Sequence, residues 1–74
     1  MSTFPGVNGK QVMRVLLNLG FELGRVIGSH HIMVKEGFPS IPVPVHGSRA
    51  LPIGTLVNII RMAGVTKKKF FENL

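Results

Sequence analysis

The amino-acid sequence predicts an α+β domain in which helices pack on one face of a small antiparallel sheet. Apolar residues recur every three or four positions near both ends of the chain, and they alternate with polar residues in between. The predicted order is a helix, three strands, a helix and a short C-terminal helix, which suits a two-layer sandwich. Because 74 residues suffice for one such sandwich, we expect a single domain over residues 1–74.

The first helix is predicted to begin after Asn8, which is a good N-cap residue. Its apolar stripe consists of Val12, Val15, Leu16 and Leu19. Gly20 fits the left-handed position that ends a helix, and Phe21 would then fold back onto the apolar stripe. Lys10 and Arg14 lie four residues apart, so the helix also offers a basic ridge on its exposed side.

Three strands are predicted in the middle of the chain, where the periodicity changes to alternation. They cover residues 21–27, 31–35 and 41–46. Gly24 can form a bulge in the first strand. Pro42 and Pro44 have no N–H to donate, so we expect the third strand to lie at the edge of the sheet with one side free.

The second long helix is predicted over residues 55–63, and Gly64 ends it, while Pro52 fits a first-turn position. Its apolar stripe consists of Ile53, Leu56, Val57 and Ile60. Thr66 can cap a short final helix. We expect the phenylalanines of this helix, Phe70 and Phe71, to dock it onto the core, with base stacking as the alternative.

Residues 28–31, Gly-Ser-His-His, contain two of the three histidines in the chain. Strand alternation places His30 and His31 on opposite faces of the second strand. The face of His31 ends in the charged Lys35, so we expect His31 to be the solvent-facing histidine and His30 to face the core. A register with Ile32 opposite Val45 would put His31 opposite His46.

The formal net charge is +6, from nine Lys and Arg against three Glu. This excess favours a polyanionic partner such as a nucleic acid, although solubility or an acidic protein partner would also account for it. The chain has no cysteine, which excludes disulfides and thiolate metal sites and fits a reducing compartment. No apolar stretch approaches the ~20 residues of a membrane span, and the first nine residues do not resemble a signal peptide. We therefore expect a cytoplasmic protein with no membrane association.

A metal site is not expected. The chain has no aspartate, and its glutamates are scattered at Glu22, Glu36 and Glu72. The adjacent histidines point to opposite faces of a strand, so they would not readily join one zinc site with His46. A Gly-rich phosphate loop and a Ser-His-Asp set are also missing, which leaves proton transfer as the chemistry to expect, without a cofactor.

Several separated landmarks resemble the HicA family of toxins. In chain order they are Gly9-Lys10, Leu19-Gly20-Phe21, Arg25, Gly28-Ser29-His30-His31, Val43-Pro44-Val45-His46, Gly54-Thr55-Leu56, Ile60 and Phe70. The resemblance covers nearly the whole chain and implies a fold like that of double-stranded-RNA-binding domains. It further implies the toxin of a type II toxin–antitoxin system, which cleaves mRNA without a metal and is neutralised by a HicB-type antitoxin.

The catalytic histidine of the family follows the Gly-Ser turn and precedes an apolar strand residue, a description that fits His31. A histidine can exchange protons near neutral pH, because its unperturbed pKa is about 6.5; whether His31 acts as base, acid or both is left open. His46 and Ser29 are candidate assisting residues. The candidate RNA-binding residues are Lys10, Arg14, Arg25, Lys35 and Arg49.

Two other functions are compatible with the sequence. A non-catalytic RNA- or DNA-binding module would use the same basic surface, and a degenerate toxin-like domain would bind an antitoxin without cutting RNA. The sequence gives no RNA preference and no oligomeric state.

Overall fold

A computed structural model describes residues 6–74 of the chain. The elements are α1 (Gly9–Asn18), β1 (Glu22–Ile27), β2 (His30–Val34), β3 (Ile41–Pro44), α2 (Ile53–Met62) and α3 (Lys67–Glu72). The strands form one antiparallel sheet in the order β1-β2-β3. The α+β class and the element order are therefore confirmed, and they fit the arrangement of double-stranded-RNA-binding domains. The expectations for the extreme N-terminus and for a domain starting at residue 1 extend into residues 1–5, outside the described part.

The core lies between the helices and one face of the sheet. Met33, Ile41 and Val43 lie on this face and are fully buried. The helices cover them with Val12, Val15, Leu16, Leu56, Ile59, Ile60 and Phe70. Phe70 has no exposed surface, so the prediction that α3 docks onto the core is confirmed. None of the helices within residues 6–74 has the length and apolar character needed to cross a bilayer.

Both ends of α1 are closed as predicted. The Asn8 side chain accepts a hydrogen bond from the Gln11 N–H at 2.9 Å, and the Gln11 side chain accepts one from the Asn8 N–H at 2.9 Å, which together form a capping box. At the other end Gly20 has a φ of +98°. The Phe21 N–H donates to the Leu16 carbonyl at 2.9 Å, the bond of a Schellman motif. Phe21 is thereby turned into the core.

The structure moves the predicted start of α2 by two residues. Pro52 is the N-cap instead of a first-turn residue, and it provides no side-chain cap. Ile53 is 49% exposed, so its predicted place in the apolar stripe is wrong. Gly64 ends the helix at a φ of +74°, and Thr66 caps α3 by accepting from the Lys69 N–H at 3.1 Å, both as predicted.

The bulge at Gly24 and the edge position of β3 are also confirmed. The register of β1 against β2 shifts between Leu23 and Arg25. On the other side of β2, the Val45 N–H donates to the Ser29 carbonyl at 2.8 Å. Alternate residues of a strand point their N–H groups the same way, so Pro42 and Pro44 lack their donors on the side away from β2.

The predicted register of β2 against β3 is wrong. His31 lies opposite Val43, and Met33 lies opposite Ile41, which is a shift of three residues from the expected pairing of Ile32 with Val45. An odd shift moves every side chain to the other face of the sheet. β3 also ends at Pro44, two residues earlier than expected, so His46 lies outside the sheet and not opposite His31.

Lys35 explains why the face assignment failed. The charged residue at the end of the His31 face indicated an open face, but the Lys35 ammonium donates to the Leu19 carbonyl at 2.8 Å. It also lies 4.7 Å from the ring centroid of Phe38 and 5.6 Å from that of Phe21. A long lysine can therefore end a buried face by extending its ammonium to a helix end and to aromatic rings.

Candidate functional site

The start of β2 and the end of β3 meet at one end of the sheet, where the Gly-Ser-His-His motif lies. Gly28 and Ser29 form the two-residue turn between β1 and β2, since Ile27 pairs with His30. Gly28 has a φ of +59°, and only a glycine adopts this value readily at the first central position of such a turn. The turn therefore sets the position of His30 and His31, which follow it directly and lie on opposite faces of β2.

His31 is on the helix-covered face and is half-buried, not on the open face as predicted from the sequence. Its lateral partners are Val26 on β1 and Val43 on β3. Its Nδ1 atom is buried and has no hydrogen-bond partner among residues 6–74. His30 is exposed on the opposite face, so the expectation that it faces the core is also wrong.

The first turn of α1 lies at the same end of the sheet as His31. Gly9 is buried, and a Cβ built on it would lie 2.9 Å from the Cα of Val45, which is hydrogen-bonded to Ser29. The far end of α1 is marked by Leu19, whose carbonyl binds Lys35 at the other end of β2. The helix is thus oriented with its N-terminus, the positive end of its dipole, toward the end of the sheet that carries His31.

The predicted basic residues are distributed over several surfaces. Lys10 and Arg14 are exposed on α1, Lys10 in the turn nearest to the His31 end. Arg25 pairs with Ile32, which places it on the opposite sheet face from His31. Lys35 is four residues along β2 from His31, about 13 Å at the usual strand rise, and its ammonium is already bound to α1.

His46 and Arg49 lie in the turn that follows β3. The Arg49 N–H donates to the His46 carbonyl at 3.1 Å, and Gly47 between them has a φ of +59°. Both side chains are exposed and line a shallow cavity with Pro52 and Thr55 at the start of α2. The structure therefore groups His46 with Arg49 and not with His31.

A groove on the other side of β3 was given no role by the sequence. Its lining combines His30, Pro42 and Pro44, which belong to the open face of the sheet, with one side of α2, so it follows the outer edge of β3. The α2 residues are Thr55, Asn58, Ile59 and Met62, whose spacing is that of one helix face. That spacing was readable in the sequence, but no function was assigned to this side of the helix.

The site can support acid–base chemistry next to an anion. It offers one partly accessible imidazole, the positive end of α1 and the exposed Lys10, all at one end of the sheet. Within residues 6–74, no group of three or more His, Asp or Glu side chains is arranged to hold a metal ion.

The sequence matches the family described as HicA toxin of bacterial toxin–antitoxin over residues 9–65. The chain belongs to the HicA toxin family. The match begins at the first residue of α1 and includes every candidate site residue. No curated protein matches the sequence. HicA family membership identifies this chain as a toxin of a toxin–antitoxin system, and it implies an antitoxin as a partner.

Proposed function

We propose that this HicA toxin is a metal-independent endoribonuclease that cleaves mRNA in the cytoplasm and uses His31 for proton transfer. The observation that carries the proposal is the buried Nδ1 of His31, which has no partner among residues 6–74. A buried polar atom without a hydrogen bond is costly and calls for an explanation, and a catalytic role is one that fits a histidine. Because Nδ1 is buried, Nε2 is the nitrogen that would exchange a proton with a substrate.

The reaction we propose is attack of a 2′-hydroxyl on the adjacent phosphorus. The O2′–H proton leaves, the O2′–P bond forms, the P–O5′ bond breaks, and the O5′ leaving group takes up a proton. The products are a 2′,3′-cyclic phosphate and a 5′-hydroxyl. His31 would supply one or both proton transfers, and such catalysis contributes roughly 10²- to 10⁴-fold.

The substrate phosphate would lie near the N-terminus of α1. The helix dipole and the exposed Lys10 favour an anion at this end of the sheet, and Arg14 continues the basic side of α1. Arg25 and Arg49 would contact more distant parts of the RNA, whereas Ser29 lies two residues before His31 and would assist there. Lys35 is a poorer candidate, because its ammonium is bound to the Leu19 carbonyl.

The proposed inhibitor is an antitoxin of the HicB type that covers the end of the sheet carrying His31. An acidic surface would complement a chain of net charge +6 and would compete with RNA for the same cations. A complex in which the His31 ring stays fully open to solvent would contradict this part of the proposal.

The test is cleavage of RNA by the wild type and by alanine variants of each histidine. His31→Ala is expected to lower the cleavage rate at least about 10²-fold and to abolish growth arrest, with an unchanged circular dichroism spectrum. His46→Ala shows whether the second imidazole assists. Full toxicity of His31→Ala would favour a non-catalytic RNA- or DNA-binding module. If the wild type binds an antitoxin but cuts no RNA, the chain is a degenerate toxin-like domain.

A modified substrate separates the base and acid roles of His31. An RNA with sulfur in place of O5′ at the scissile bond has a leaving group that needs no protonation. If His31 is the acid, this substrate restores cleavage by His31→Ala. If His31 is the base, the variant stays inactive on both substrates.

A further inference from the structure

The groove between β3 and α2 is not lined by His31 and has a volume of about 720 Å³. Pro42 and Pro44 form its floor on the sheet side, and His30 lies beside them. Thr55, Asn58 and Met62 face it from α2. Its size is within the range of small-molecule sites, and nothing in the proposed reaction uses it.

The lining of this groove suits a flat, neutral heterocycle. None of the described residues that line it is a Lys, Arg, Asp or Glu, so it offers no charge to hold a phosphate. The His30 imidazole is a flat ring against which a base can stack, and the two proline rings add apolar surface beside it. A sugar or a phosphate would gain little from them.

Asn58 provides the polar group that can identify such a ring. Its Nδ2 contacts the sulfur of Met62 at 3.6 Å, and thioether sulfur is a weak acceptor. The Asn58 amide thus keeps a donor and an acceptor side by side on an exposed helix face. A side-chain amide pairs with a base edge that presents an adjacent acceptor and donor.

The groove reaches the end of the sheet that carries His31, because His30 and Pro44 line it. His30 and His31 are consecutive, with Cα atoms ~3.8 Å apart, and their side chains point to opposite faces of β2. One RNA strand passing over the Gly28–Ser29 turn would therefore reach His31 on one face and the groove on the other.

We infer that the groove between β3 and α2 binds an unpaired nucleobase of the RNA substrate and sets the sequence preference of cleavage. The inference rests on the proposed nuclease function and adds the location of base recognition. Asn58 reads the base edge, while His30 stacks on its face.

The first experiment compares cleavage of a randomised RNA by the wild type and by Asn58→Ala. The wild type is expected to prefer one base at a fixed position near the cut, and Asn58→Ala to lower that preference at least about five-fold. Asn58→Asp replaces the donor by an acceptor and should change which base is preferred. The matched control is Asn18→Ala, an exposed asparagine of α1 that does not line the groove.

His30 is tested by a pair of variants that separate stacking from proton transfer. His30→Ala should raise KM for short RNAs with little change in kcat, whereas His30→Phe keeps a ring and should retain the wild-type KM. An equal loss of kcat in both variants would assign His30 to the chemistry and overturn its stacking role.

The second experiment does not require cleavage. In His31→Ala, the side-chain amide resonances of Asn58 are followed by NMR while each of the four nucleoside 3′-monophosphates is added. Shifts of the groove resonances with at least one nucleotide support the inference. In the His31→Ala/Asn58→Ala double variant, the resonances of the other groove residues should no longer shift. No shift with any nucleotide, together with an unchanged base preference of Asn58→Ala, overturns it. If the wild type cuts no RNA but the shifts occur, the base site stands and the nuclease proposal fails.

Discussion

At the scale of the single residue, the buried Nδ1 atom of His31 does not stabilise the folded protein. It is buried without a partner among residues 6–74, and a polar atom in this state costs about 1–3 kcal/mol. A residue chosen for packing at this position would be apolar, as are its lateral partners Val26 and Val43. Packing therefore does not account for the imidazole, whereas the proposed proton transfer would.

His31→Leu tests this explanation through stability alone. We expect the free energy of unfolding to stay equal to the wild-type value or to rise by about 1 kcal/mol, because the unpaired nitrogen is removed, while RNA cleavage is lost. Urea unfolding followed by circular dichroism is the suitable measurement, since the chain has no Trp or Tyr. A loss of more than about 1 kcal/mol would give His31 a structural role instead.

Lys35 is expected to act on stability and not on RNA binding. Lys35→Met removes the hydrogen bond to the Leu19 carbonyl and the contacts with Phe38 and Phe21, which should lower the free energy of unfolding by about 1–2 kcal/mol. Lys68→Met, at an exposed position of α3, is the control and should have little effect. Weaker RNA binding by Lys35→Met at unchanged stability would restore Lys35 as a phosphate ligand.

The same lysine shows what residue-level reasoning could and could not predict. The caps at Asn8, Gly20 and Thr66 were predictable, because capping depends on residues a few positions apart. The direction of the Lys35 ammonium depends on Leu19 and Phe38, which belong to other elements. Local alternation therefore predicted correctly which β2 residues share a face. It did not predict which of the two faces packs against the helices.

At the scale of the element, the position of α1 depends on a close backbone approach at Gly9, where a Cβ would also collide with the Pro44 carbonyl oxygen. A Cβ on Gly9 would lie 2.9 Å from the Val45 Cα, closer than carbon atoms approach without displacement. α1 can therefore rest on the end of β3 only while residue 9 lacks a side chain. The sequence indicated only that Gly9 lies at the start of α1. This contact was not predictable, because the third strand was expected to continue to residue 46, whereas β3 ends at Pro44.

Two glycine substitutions test this contact as a matched pair. Helix propensity alone predicts that Gly9→Ala and Gly54→Ala both stabilise their helices by about 0.5–1 kcal/mol. A Cβ on Gly54 meets nothing within 4 Å among the described residues, so Gly54→Ala should follow propensity, while Gly9→Ala should lower the midpoint of urea unfolding. Stabilisation by Gly9→Ala would show that α1 does not rest tightly on Val45.

At the scale of the whole molecule, the cationic residues are not all equivalent for RNA. The Asn18 side chain donates to the Asn73 carbonyl at 3.2 Å, so the end of α3 lies beside the C-terminus of α1. The ten residues of α1 separate this end from the His31 end by ~15 Å. The net charge of +6 predicts a polyanionic partner, but it does not tell which of the cations would contact that partner.

The salt dependence of RNA binding tests this separation. Binding of an uncleaved RNA to His31→Ala should weaken as salt rises, and the added Lys10→Ala substitution should make the slope of log K against log salt shallower by ~0.7, the value for one phosphate contact on a single strand. The added Lys68→Ala substitution should leave the slope unchanged. Equal effects of both lysines would mean that RNA contacts the whole surface without preference.

The prolines of β3 also limit how the chain can aggregate. A fibre that grows by edge-to-edge strand pairing needs two free sheet edges on each molecule, one for each neighbour. Pro42 and Pro44 leave gaps in the donor row at the outer edge of β3, whereas the exposed β1 has no proline. Edge-to-edge pairing of this chain is therefore expected to favour two molecules joined through β1 and to disfavour a continuous fibre.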